Sequence, residues 1–298
     1  MWMETLVTGR LALEMTDSAW WVSVVAFCRN IPVPLVGFLG PVWVERFRRR
    51  RVIQALQSVN LLAALTLAIL YHFGRLEYWH LTMVSLANGA AWALDWPTRR
   101  ALLPDLVGRD HVVDAMVLEN VLQSLTRLSG PLLAGLAMQH LGAGGTLWIL
   151  CLIGGTGLLV LLGLRTDSHS PEQTAGIRDA LARTREGLRY VRGNSAILGT
   201  LIITVIMNAW AFPFQALLPV FARDVLGQGP FGLGLLGAAN GAGAMVGLLL
   251  VNLSRRSFGH PAIFSTGSIL ACVGLLAFSL SSSMTLSLAA LAIAGVGQ

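Results

Sequence analysis

The chain has 298 residues, 55% of them hydrophobic and 12% charged, against about 25% charged in an ordinary soluble domain. So few charges cannot coat a water-soluble globule, and a mean hydropathy of +0.67 points instead to a chain that crosses a bilayer several times as helices. The apolar content excludes intrinsic disorder, and 32 Gly without a fixed period exclude a collagen-like repeat.

In chain order, Trp2 to Leu13 is an apolar piece too short to cross. It carries Glu4 and Arg10 and lacks a basic start, so it does not read as a signal peptide. Spans long enough to cross follow near residues 19–44, 52–73, 78–98, 112–138, 145–164, 196–222, 231–252 and 261–281, and Leu286 to Val296 is again a short apolar piece. The expected fold class is therefore all-α, a polytopic helical bundle with eight complete crossings and an incomplete helix at each end.

Residues 166–195 form the one sizeable polar connector. Ser170-Pro171-Glu172-Gln173 is a helix-start signal, and Ile177, Leu181, Leu188 and Val191 share a face among Arg residues. That pattern suits a basic helix on the cytoplasmic leaflet, or a solvated linker helix. The expected organisation is an N-terminal half over 1–165, the linker over 166–195 and a C-terminal half over 196–298.

All 21 basic residues are Arg, and sixteen of them fall in connections on one side of the expected bundle. By the positive-inside rule that side faces the cytoplasm, so the formal net charge of +6 is a topology signal and calls for no nucleic-acid partner. A constant offset of 206 relates Gly37, Pro41, Arg49 and Arg50 to Gly243, Gly247, Arg255 and Arg256, as duplicated halves of a transporter place matching positions. Cys28, Cys151 and Cys272 lie apart in apolar segments, as small buried hydrophobes do. The six His residues are scattered, and no metal set, cofactor motif or catalytic constellation is present in the sequence.

The stretch GFLGPVWVERFRRRR, Gly37 to Arg51, resembles the loop motif between helices two and three of the major facilitator superfamily, with Pro41 for a Gly and Glu45 for an Asp. RLSGPLLAG, Arg127 to Gly135, resembles the Gly-Pro motif on helix five of that superfamily's antiporters, carried here by Gly130, Pro131 and Gly135. Asn88-Gly89 sits where a helix-four motif has a polar residue and Gly, but Ser85 replaces the Arg expected three residues earlier. DWPTRRALLPDLVGRD at 95–110, EGLRYVRGNSAIL at 186–198 and LLPVFARDVLG at 217–227 resemble the subgroup of the enterobactin exporter and the transmembrane secretion effectors. The resemblance covers essentially the whole chain. It implies twelve helices in two six-helix halves, of which this chain spans partial helix one to partial helix ten.

Charges inside a bilayer cost about 2.5 to 3.5 kcal/mol each, so each needs a partner or a wet cavity. Glu4, Arg29, Glu119 and Arg127 are expected deepest, converging on one vestibule. Glu119, Gln123 and Arg127 recur every four residues and make one polar stripe on a helix. Asn30, Asn208, Gln215 and Asn240 extend the expected substrate and proton pathway, unless they serve only hydrogen bonding between helices. Glu4 is the candidate proton carrier, because desolvation favours its protonated form and a nearby Arg opposes that. A cytoplasmic latch is expected from Glu45, Arg46, Arg49 and Arg50; the resemblance implies that its Arg residues pair with an acid at the end of helix four, here Asp95. The Gly residues crowding 232–247 suit close helix packing.

These readings converge on a monomeric, multi-pass protein of the bacterial inner membrane, with a small-molecule substrate, protons and membrane lipid as partners and no cofactor. The expected function is proton-coupled efflux of small amphipathic molecules, siderophores or drugs, by alternating access. A lipid flippase of the same fold, a non-transporting scaffold and an intramembrane enzyme are the alternatives, and the enzyme lacks a clustered nucleophile and base.

Overall fold

The computed structural model describes residues 1–36, 47–163, 186–187, 189–211, 213–254 and 259–298. Among them every regular element is helical. The first is α1, Trp2–Thr16, followed by α2, Ala19–Asn30, with a further helical turn to residue 36. Next come α3, Arg49–His72, and α4, Tyr78–Val107. The apolar run Val112–Gly163 holds 52 residues, about 78 Å at 1.5 Å per residue, more than twice a hydrocarbon core. It breaks at Gly142, whose φ of 69° and ψ of −179° suit only glycine, into α5 (112–141) and α6 (143–163).

The run expected as one span over 196–222 is interrupted. Ser195–Ile206 is α7, Met207–Ala211 widens into a π turn, α8 is Phe214–Val220, and Phe221–Val225 widens again. The physical reason lies in Pro213 and Pro219, which remove two backbone donors from the ladder. The remaining helices are α9, Pro230–Ser254, α10, His260–Ser279, and α11, Met284–Val296. Ser283 caps α11, its hydroxyl accepting from the Leu286 amide.

Six helices among the described residues are long and apolar enough to cross a membrane, and the 52-residue run is one of them. The 30-residue α4 is outside that set, diluted by His80, Asn88 and the charges from Asp95 onward. It also runs nine residues beyond its expected end at 98, through Pro97 and Pro104. Side-chain donors reach the disturbed turns: the Thr98 hydroxyl donates to the Leu94 carbonyl at 2.6 Å, and Arg49 donates to the Ala101 carbonyl at 2.7 Å.

The chain packs as two compact units. One gathers Met1–Arg10, Val121–Gly142 and Gly187–Gln298; the other gathers Leu11–Asn120 and Ala143–Glu186. In the first, α5 and α9 meet at glycine. A Cβ on Gly135 would stand 2.7 Å from the Pro230 carbonyl oxygen, and one on Gly234 would stand 2.7 Å from the Pro131 carbonyl oxygen. Gly237 and Gly241 press on Pro131 and on the Arg127 carbonyl in the same way. Such close backbone approach is how helices associate in lipid, where apolar side chains gain little by leaving the tails.

In the second unit, α2 lies against α4 with Gly89 pressed on the Arg29 carbonyl, and the buried Ser85 and Asn88 face inward beside it. Outward faces are apolar: Leu152, Leu159 and Leu253 are each about 70% exposed, as lipid contact requires. Of the cysteines, only Cys151 is buried; Cys272 is exposed, with its sulfur 3.9 Å from that of Met207.

Candidate functional site

The first unit contains a small, partly open pocket. Trp2, Thr5 and Leu6 of α1 line it together with Arg127 and Pro131 of α5. Gln215, Leu218 and Pro219 of α8 and Leu233, Gly237 and Asn240 of α9 complete the wall. Beside it, glycines let α5 and α9 approach closely, and α8, flanked by the two π turns, supplies a further polar group, Gln215.

Arg127 is the charged residue of this wall. Its Nη2 donates to the Asn240 side-chain carbonyl at 2.9 Å and also to the side-chain carbonyl of Gln298. The guanidinium carbon lies 5.3 Å from the centre of the Trp2 ring, a cation–π contact. Asn240 is itself buried and held in place, its amide donating to the Leu291 carbonyl at 3.4 Å. The Arg127 Nε is buried without an acceptor.

Of the expected pathway residues, the structure brings Arg127, Gln215 and Asn240 to this cavity. Gln123 is half-buried on α5, one turn from Arg127, and does not line it. Glu4, on the same helix as Trp2 and Thr5, lies 3.8 Å from the Met1 ammonium and is outside the lining. Asn30 and Asn208 are exposed, and each donates at 2.8 Å to a carbonyl four residues earlier, Ala26 and Thr204, the economical choice for an amide on a lipid-facing helix.

Arg29 and Glu119 belong to the second unit. There Glu119 lies 3.8 Å from Arg100, which also sits 4.6 Å from the centre of the Trp96 ring. Sequence reasoning passed over Trp2 and Gln298 because an apolar aromatic and a terminal amide carry no periodic signal. Arg100 stands among the Arg residues at span ends, and its spacing from Glu119 carries no helical period that would join them.

The second unit also holds the described part of the expected latch; Glu45 and Arg46, like Gly37, Pro41, Arg255 and Arg256, lie outside the described residues. Arg49 pairs with Asp105 at 3.1 Å, not with Asp95, whose carboxylate is taken by Arg99 on its own helix at 2.6 Å. The extra length of α4 is the reason, since it brings a second acid ten residues further along and next to α3. Arg50 donates to the Leu162 carbonyl at 3.0 Å and Gln54 to the Leu161 carbonyl at 2.9 Å, capping the C-terminal end of α6. The Gly-Pro motif residues Gly130, Pro131 and Gly135 sit where α5 meets Trp2 and α9.

Comparison with known proteins gives three kinds of match. A family model described as transmembrane secretion effector matches residues 1–297. An uncharacterized MFS-type transporter of Bacillus subtilis is 27% identical over 70% of this chain and 50% of its own length. Macrolide efflux protein A of Streptococcus pyogenes is 22% identical over 88% of this chain and 66% of its own. A Staphyloferrin A transporter of Staphylococcus aureus is 24% identical over 47% of this chain and 36% of its own. The chain thus spans about half to two thirds of the first of these relatives. Among solved structures, a bacterial homologue of the human lysosomal transporter Spinster, inward-facing and unoccupied, superposes with a TM-score of 0.69 at 13% identity, over 99% of this chain and 69% of that one. At that identity the likeness speaks for the fold alone.

Proposed function

Because the chain belongs to the transmembrane secretion effector family of the major facilitator superfamily, a family of multi-pass membrane transporters and not of enzymes, we propose that it serves secondary active efflux of small amphipathic molecules by alternating access. The observation that carries the reading is the cavity beside Arg127: mostly apolar walls with a few converging polar groups are the usual make-up of a small-molecule site. Two of its walls, α5 and α9, come from the expected halves 1–165 and 196–298, so relative motion of those halves would open and close it.

Protons are the proposed driving ion, with Glu4 as the carrier, because it is a carboxylate on the helix that lines the cavity. The Arg49–Asp105 pair is the proposed latch of the cytoplasmic end. The relatives offer the first cargoes to try, a macrolide and Staphyloferrin A. Expression in a bacterial strain lacking its own exporters should lower the accumulation of at least one of them. Collapse of the proton gradient should restore it. Unchanged accumulation across the panel, with the protein present in the membrane, sinks the efflux reading.

A further inference from the structure

The efflux reading leaves the charge class of the cargo open, and Arg127 decides it. A guanidinium has five N–H donors and a full positive charge at any physiological pH. Here both of its hydrogen bonds leave Nη2, and both go to neutral amide oxygens, those of Asn240 and Gln298. Nε is buried with no acceptor, and among the described residues the hydrogen bonds of Arg127 leave Nη2 and not Nη1. The acids of this unit, Glu4 and Asp224, are spoken for: Glu4 lies by the Met1 ammonium at 3.8 Å and Asp224 by Arg223 at 2.5 Å.

Arg127 therefore stands in an apolar cavity as a cation with oriented but uncharged partners, and no carboxylate among the described residues pairs with it. We propose that the cavity is an anion receptor: its ligand carries a single negatively charged oxygen head, received by the Nη1 N–H groups of Arg127, on an apolar body that packs against Trp2, Leu6, Leu218 and Leu233. This rests on the reading of the cavity as the cargo site. Neutral amides hold the guanidinium in place without cancelling its field, and the low dielectric around it strengthens attraction for an incoming anion. A cationic cargo would meet uncompensated repulsion there.

The test uses the full chain in nanodiscs of phosphatidylcholine, with radiolabelled decanoate, decanol and decyltrimethylammonium as matched probes and binding to empty discs subtracted. Decanoate should bind about tenfold or more tighter than decanol, the range of a charge-assisted hydrogen bond, and decyltrimethylammonium weakest. Arg127→Gln should erase the preference while decanol binding persists, which shows the cavity intact. Arg127→Lys should keep a reduced preference, and Trp2→Ala should weaken all three probes by similar factors.

Equal binding of the three probes to the unaltered protein overturns the proposal, as does a decanoate preference that survives Arg127→Gln. Discs containing phosphatidylglycerol separate two sources of the same chemistry: lost decanoate binding assigns the site to an anionic lipid head, retained binding to a free acid, and both support the anion receptor. A charge preference without any flux of decanoate in proteoliposomes supports the receptor and sinks the efflux reading alone. Flux restricted to uncharged or cationic probes does the reverse.

Discussion

A carboxylate and a guanidinium cost comparable amounts at bilayer depth, and their partners decide what each can do. Arg49 and Asp95 illustrate how narrowly sequence reasoning misses: both are polar ends at the expected latch, yet Arg49 reaches Asp105 and Asp95 turns to Arg99 four residues on. Asp105→Asn should therefore change the rate at which a cysteine placed at Leu106 is labelled, by several-fold, while Asp95→Asn leaves that rate near the unaltered value. Identical responses of the two variants would return the latch to Asp95. Glu4→Gln removes the proposed proton carrier and should abolish gradient-driven export while cargo still binds; full export by this variant would dispose of the role. Trp2 and Gln298 were illegible beforehand because a contact with Arg127 across 125 and 171 positions is a property of packing, not of spacing.

Helices α5 and α9 owe their contact to the absence of side chains. Gly234→Ala puts a methyl 2.7 Å from the Pro131 carbonyl oxygen, backbone that cannot rotate away, and overpacking of this kind costs about 1 to 3 kcal/mol. Gly199 on α7 and Gly155 on α6 have open space where a Cβ would go, so Ala there should stabilise by about 0.5 to 1 kcal/mol through helix propensity alone. Unfolding in a denaturing detergent titration would read the opposite signs directly. Gly142→Ala should cost about 1 to 3 kcal/mol for a different reason, because no L side chain tolerates its φ of 69° with ψ near 180°. The glycine crowding of 232–247 was legible as close packing, and Gly-Pro at 130–131 as a motif; which surface each would meet was not. The expected end of α4 at 98 falls where Arg99 and Arg100 close the apolar run; the helix instead continues to Val107, and there Arg49 of α3 donates to the Ala101 carbonyl.

At the scale of the whole molecule, transport should respond to the proton gradient and to Arg127 together. Arg127→Gln should raise cellular accumulation of an exported acid to the level seen without the protein, with little effect on an uncharged cargo; equal loss for both would make Arg127 a structural residue. The sequence by itself determined that this is a helical membrane protein and which superfamily it resembles. Those properties are sums over many residues, set by hydrocarbon thickness, by the cost of charge in lipid and by motif identity, and single errors do not disturb them. Only the tertiary structure decided which polar groups meet. It joined Arg127 to Asn240 and Trp2 at one cavity, gave Glu119 to Arg100, and folded Asn30 and Asn208 back on their own helices. The helical period places a residue on a face of its own rod, but the neighbour of that face depends on where glycines permit approach and where prolines break the ladder. A polar side chain in lipid takes whichever partner that packing brings within about 3 Å.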